Sequence, residues 1–77
     1  MKSFLVESYT PAAASLTDIE ATARRAASGT SVRYVRSIFV PDDEICFHLL
    51  KAPSADSVDT VIRAAGIQHQ RIMEVKE

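Results

Sequence analysis

Glu7, Cys46 and His48 are the residues of this chain whose types and spacing invite chemistry. Cys46 and His48 stand two positions apart, so along a strand their side chains leave from the same face. A thiolate and an imidazole together supply two metal ligands, one of them soft. A tetrahedral site needs four, and a two-fold axis through a pair of chains doubles the set. Glu7 adds an oxygen, either as a third donor or as the group that orients the imidazole. The same carboxylate beside His48 would also suit general-base work. The plain structural alternative is a hydrogen-bonded cluster of Glu7, Arg36 and His48 in an interface, with Cys46 as a small buried apolar residue.

Other candidates carry less. His69 falls in the connection after Gly66 and reads as an exposed loop histidine. Asp42-Asp43-Glu44 lacks the alternating ligand spacing of a calcium loop and reads as a solvated hairpin turn. No Ser-His-Asp triad, phosphate loop or dinucleotide fingerprint occurs, so no residue is assigned a catalytic role. Nine Lys/Arg against ten Asp/Glu leave a net charge of −1. That balance offers no basic surplus for nucleic acid. Apolar runs fall far short of the ~20 residues of a membrane span. Met1 to Tyr9 is too short and mixed for a signal peptide, so a cytoplasmic protein is expected. The single cysteine excludes an internal disulfide.

The elements that must position these residues follow from periodicity and punctuation. Phe4–Tyr9 is rich enough in β-branched and aromatic residues for a strand, stopped at Thr10-Pro11. Thr17–Ser28 reads as a helix, with Thr17 and Glu20 at capping-box spacing and Gly29 past its end. Val32–Val40 and Ile45–Leu50 are strands joined by the short turn Pro41–Glu44, hence an antiparallel hairpin. Ser54 caps a second helix in which Val58, Val61, Ile62 and Ala65 fall on one face, and Gly66 ends it. Arg71–Val75 is the last strand. The order β-α-β-β-α-β predicts one α+β domain over residues 1–77, the ferredoxin-like arrangement. Its antiparallel sheet has order 4-1-3-2, and both helices lie on one face.

Alternation then divides the sheet. Ile45, Phe47 and Leu49 read as the helix-side row of the third strand, which sends Cys46, His48 and Leu50 to the open face. Phe4 and Val6 face the helices, leaving Leu5, Glu7 and Tyr9 open. In the second strand Tyr34, Arg36 and Ile38 are expected on the open face, with Val35 and Phe39 inward. Glu7, Tyr9, Tyr34 and Arg36 thus form a candidate ligand-binding set around the candidate metal ligands Cys46, His48 and Glu7. A domain this short hides only about 60–65% of its unfolded surface. A half-apolar sheet face is seldom left to water, so pairing of two copies through it, as a dimeric α+β barrel, is expected.

Several segments carry a resemblance across nearly the whole chain: Phe4–Tyr9, Val32–Ser37, Pro41–Phe47, Ala52–Ala55, and Ala65–Ile67 with Arg71-Ile72. They resemble a family of small bacterial nickel-binding proteins, formerly a domain of unknown function. The resemblance implies a ferredoxin-like fold, a homodimer, and in some members nickel held by histidines. Glu7-Ser8 stands where nickel-binding relatives carry a first-strand histidine, and Ile62 about where many have one late in the second helix. His48 replaces a second cysteine, and Gln68-His69-Gln70 replaces the commoner turn. The expected function is a homodimeric small binding protein, nickel-binding or metal-responsive, without established catalysis. The alternative is a small-molecule enzyme of the monooxygenase- or isomerase-like dimeric barrel type, with its pocket at the open sheet face. A cavity of several hundred cubic ångströms beside His48 would favour ligand or substrate chemistry over a plain structural dimer.

Overall fold

A computed structural model describes all 77 residues. The chain runs β1 (Lys2–Tyr9), α1 (Leu16–Ala27), β2 (Arg33–Val40), a single 3-10 turn (Pro41–Asp43), β3 (Ile45–Ala52), α2 (Ala55–Ala64) and β4 (His69–Val75). The four strands form one sheet in the order β2-β3-β1-β4, every neighbouring pair antiparallel. This is the 4-1-3-2 order expected from the sequence, read from the other edge.

The helix boundaries have clear local causes. The cap of α1 lies two residues before the one its sequence signal suggests, at Ser15 rather than Thr17: the Ser15 Oγ accepts from Asp18 N–H at 3.2 Å. Glu20 is thereby free to reach across and accept from Ser37 N–H at 3.2 Å, tying α1 to β2. Ser54 and Ser57 form a reciprocal capping box at the start of α2. The end of α2 is a Schellman turn, in which Gly66 N–H donates to Arg63 C=O and Ile67 N–H to Ile62 C=O. Gly66 carries the φ of +73° that this turn requires. β4 begins at His69, two residues before the expected start.

The core lies between the sheet and the two helices. Phe4 and Val6 of β1, Leu50 and Ala52 of β3, and Val58, Val61 and Ile62 of α2 are buried there, with Ala23 and Ala27 on the narrow face of α1. Each large side chain among them contributes about 1.5–3 kcal/mol by leaving water.

Register corrects the expected face assignment. Phe4, Val6 and Ser8 pair directly with Leu50, His48 and Cys46, and directly opposed residues share a face. Cys46, His48 and Leu50 therefore lie under the helices, all of them fully buried. Ile45, Phe47 and Leu49 lie on the open face, the reverse of the sequence expectation. Both rows of β3 are apolar enough to be buried, so alternation within that strand could not choose between them. The inward row of β1, transmitted through pairing, does.

β2 is corrected by a bulge. Its register shifts between Tyr34, opposite Leu50, and Arg36, opposite Leu49. One extra residue at Val35 carries Tyr34 to the helix side, where it is buried and its ring lies 5.3 Å from the Arg24 guanidinium. Val35 is thus the bulge residue rather than part of a regular inward row. Arg36 and Ile38 remain on the open face, as expected, and Phe39 pairs with Cys46 on the helix side.

Candidate functional site

His48 sits between Val6 of β1 and Ser37 of β2, its ring turned toward the helices and fully buried. Burial is tolerable because both ring nitrogens find hydroxyls. Nε2 lies 2.9 Å from Ser8 Oγ, and Nδ1 lies 2.7 Å from Ser37 Oγ. Ser37 Oγ also bonds the Tyr34 hydroxyl.

The directions of these bonds follow from counting hydrogens. Ser8 Oγ donates to the Cys46 carbonyl at 3.3 Å. Its one hydrogen is thereby used, so Ser8 accepts from Nε2–H. Nδ1 then carries the lone pair and accepts from Ser37, and Ser37 accepts from Tyr34. The result is an ordered chain, Tyr34 to Ser37 to His48 to Ser8 to the Cys46 carbonyl, in which each intermediate group donates once and accepts once. No buried side-chain nitrogen or oxygen is left unpaired. The bulge makes this possible: Tyr34 and Ser37 are three residues apart, and only the extra residue places both on one face.

Burial lowers the His48 pKa to about 4, so the imidazole is neutral at physiological pH. Burial pushes the Cys46 thiol up, reinforced by the Glu20 carboxylate. A thiol held protonated is a poor nucleophile and a poor metal ligand. The Tyr34 phenol is also raised, chiefly by burial.

The Ser8 end of the chain opens into a cleft of about 400 Å³ between the end of β1, the start of α1 and the α2–β4 turn. Ser8, Thr10 and His48 are polar lining residues, Pro11, Ala14, Ile19 and Ile67 are apolar ones, and Tyr9 and Gln68 complete the polar lining. Glu44 fixes one wall. Its left-handed backbone, with φ of +53°, ends the β2–β3 turn, and its carboxylate accepts from Ala12 N–H at 2.8 Å and from Tyr9 hydroxyl at 3.3 Å. Its carbonyl accepts from Thr10 N–H at 2.8 Å. The acidic turn is therefore a clamp on the β1–α1 loop as well as a hairpin. Gly66 and Ile67 of the Schellman turn form the opposite wall.

The expected site residues are divided by the sheet. Cys46 and His48 come together on the helix side, joined there by Tyr34. Glu7 lies on the open face, where it accepts from Arg71 Nε at 2.8 Å rather than meeting Arg36 or His48. Arg36 remains with it on that side, whereas Tyr9, 55% exposed, also lines the cleft and donates to Glu44. No group of three or more His, Cys, Asp or Glu side chains is placed to hold a metal ion. The expected Cys46–His48–Glu7 donor set is thus not assembled within one chain. His69 opens β4 rather than hanging in a loop, half-buried with Nε2 3.3 Å from Asp59 Oδ1. No helix is long and apolar enough to cross a membrane.

Ser8, Thr10 and Ser37 are the functional-site residues that the sequence reading missed. Ser8 shares the parity of Phe4 and Val6, and a hydroxyl at the end of an inward row was a usable signal. Ser37 had none, because its orientation depends on the bulge.

Residues 4–75 match the model of a family described as nickel responsive protein SCO4226-like. Among solved structures, SCO4226 from Streptomyces coelicolor A3(2) is similar, with a TM-score of 0.86 and 21% identity over 95% of this chain and 94% of that one. At that identity the likeness concerns the fold. No curated protein matches the chain.

Proposed function

Because the chain belongs to the nickel-responsive SCO4226-like family, we propose that it is a small binding protein that works as a homodimer. Its ligand site is the helix-side cleft, and its open sheet face is the pairing surface. The observation that carries this reading is the cleft of about 400 Å³ with His48 and Ser8 in its polar lining. That volume lies within the range of about 300–1,000 Å³ typical of small-molecule sites. The enzyme alternative shares this location, on the opposite side of the sheet from where the sequence had put it.

The open face supports pairing. Register places Leu5, Ile38, Phe47, Leu49 and Met73 together around the Glu7–Arg71 ion pair. Ile38 is 54% exposed there. An isolated 77-residue chain gains by burying such a surface. A two-fold axis presents Glu7 of each copy to a like surface, with Arg71 available as its counter-ion.

A fragment screen read by amide NMR tests the site. Hits whose shifts gather on Thr10, Gly66 and Ile67 support it; hits confined to Leu5, Ile38 and Phe47 contradict it.

A nickel reading is supported by the family description. A single copy brings no three donors together, so nickel would be held by side chains that pairing unites. Glu7 is the member of the expected Cys46, His48 and Glu7 set that lies on that surface. Calorimetric titration with nickel should show uptake by the wild type that is lost in a monomeric variant. Uptake retained by the monomer would contradict a shared site.

A further inference from the structure

The cleft at His48 is uncharged, and its polar lining is limited to Ser8, Thr10 and His48 with Tyr9 and Gln68. None of its lining residues is Lys, Arg, Asp or Glu. A charged ligand would surrender its hydration without gaining a counter-ion. Four wall residues, Pro11, Ala14, Ile19 and Ile67, offer only apolar contact. Asp18 in the first turn of α1 opposes any pull of that helix start on an anion.

The polar lining has hydrogen-bonding capacity to spare. Ser8 Oγ lies 3.3 Å from the Cys46 carbonyl and 3.5 Å from Thr10 Oγ1. Both are longer than the usual O–H···O distance of about 2.7–2.8 Å. The contact with Ser8 is the one side-chain bond that Thr10 Oγ1 makes. A ligand oxygen entering here would accept from Thr10, and from Ser8 only in exchange for its long bond to the Cys46 carbonyl, so Thr10 supplies the net gain while His48 Nε2–H continues to hold Ser8 in place. His48 is then a positioning residue, and the two hydroxyls make the contact.

We propose that this cleft takes an uncharged, largely apolar small molecule bearing a single hydroxyl or carbonyl oxygen, with that oxygen seated at Ser8 and Thr10. The inference rests on the cleft being the ligand site and adds the ligand's class.

Three probes of one size separate the possibilities: 2-naphthol, naphthalene and 2-naphthoate, each titrated at pH 7 into ¹⁵N-labelled protein. The expected order is 2-naphthol first, with naphthalene about five- to tenfold weaker for want of the oxygen. 2-Naphthoate should be weaker than 2-naphthol by about tenfold or more. Ala14→Phe fills the cleft and should abolish the shifts of Thr10, Gly66 and Ile67 for every probe. Thr10→Val keeps the side-chain shape and should bring 2-naphthol down to the affinity of naphthalene. The amide spectra of both variants report whether they are folded.

If 2-naphthoate binds as well as 2-naphthol, and Ala14→Phe abolishes both, the ligand class is overturned while the site survives. Equal affinity for naphthalene and 2-naphthol overturns the role of the hydroxyls. If no probe shifts those amides, or if Ala14→Phe leaves the shifts intact, the site itself is refuted.

Discussion

At the scale of single residues, a histidine becomes useful or inert according to what its two nitrogens meet. His48 meets Ser8 and Ser37 and no charged side chain, and burial alone depresses its pKa to about 4. An unfolded chain binds that proton near pH 6.5, so between pH 6.5 and 4 the unfolded state holds more protons than the folded one. Stability must then fall as the pH falls through this window, by up to about 3 kcal/mol. Urea unfolding at stepped pH should show the decline in the wild type and a flatter profile in His48→Gln. An identical decline in both would place the effect elsewhere. Ser37 is the middle of the chain, and Ser37→Ala leaves both His48 Nδ1 and the Tyr34 hydroxyl without their partner. The expected loss is about 1–3 kcal/mol, read as a lower urea midpoint at unchanged slope. A change within error of zero would mean the chain is not structural.

At the scale of elements, the β1–α1 loop is held by one side chain from a turn that looks merely solvated in the sequence. Glu44→Ala removes the acceptor of Ala12 N–H and of the Tyr9 hydroxyl. Amide exchange at Ala12 should quicken, and 2-naphthol binding should weaken several-fold with little change in global stability. Unaltered exchange at Ala12 would dissociate the turn from the cleft wall. This clamp also marks where the sequence ceased to be legible. Element types and order could be read because each rests on local signals: Ser54 before α2, Gly66 after it, and the short turn after Pro41. The Cys46–His48 pair could be found because two residues on one strand always share a face. Which face they share is a long-range property, fixed by pairing of β3 with the Phe4–Val6 row. Tyr34 and Ser37 were out of reach for a related reason: a one-residue bulge reverses parity and leaves no mark on composition or periodicity.

At the scale of the whole molecule, the sheet separates two surfaces with different chemistry. One side carries a neutral hydrogen-bonded histidine beside a cleft, and the other an apolar group of side chains flanked by Arg36 and by the Glu7–Arg71 and Lys51–Glu77 ion pairs. If copies pair through the second, as proposed, the first stays accessible in each, so binding and assembly are expected to be separable. Ile38→Arg places a charge in the pairing field, where two copies would oppose like charges across the axis. It should yield monomers while touching nothing in the cleft. Sedimentation velocity recorded in the absorbance band of 2-naphthol measures mass and bound ligand together, and it tests this division most directly. The wild type should sediment as a species of twice 8.4 kDa carrying the probe, and Ile38→Arg as a species of half that mass carrying it with the same affinity. A wild-type protein that sediments as a monomer, or a monomeric variant that no longer carries 2-naphthol, would contradict that division.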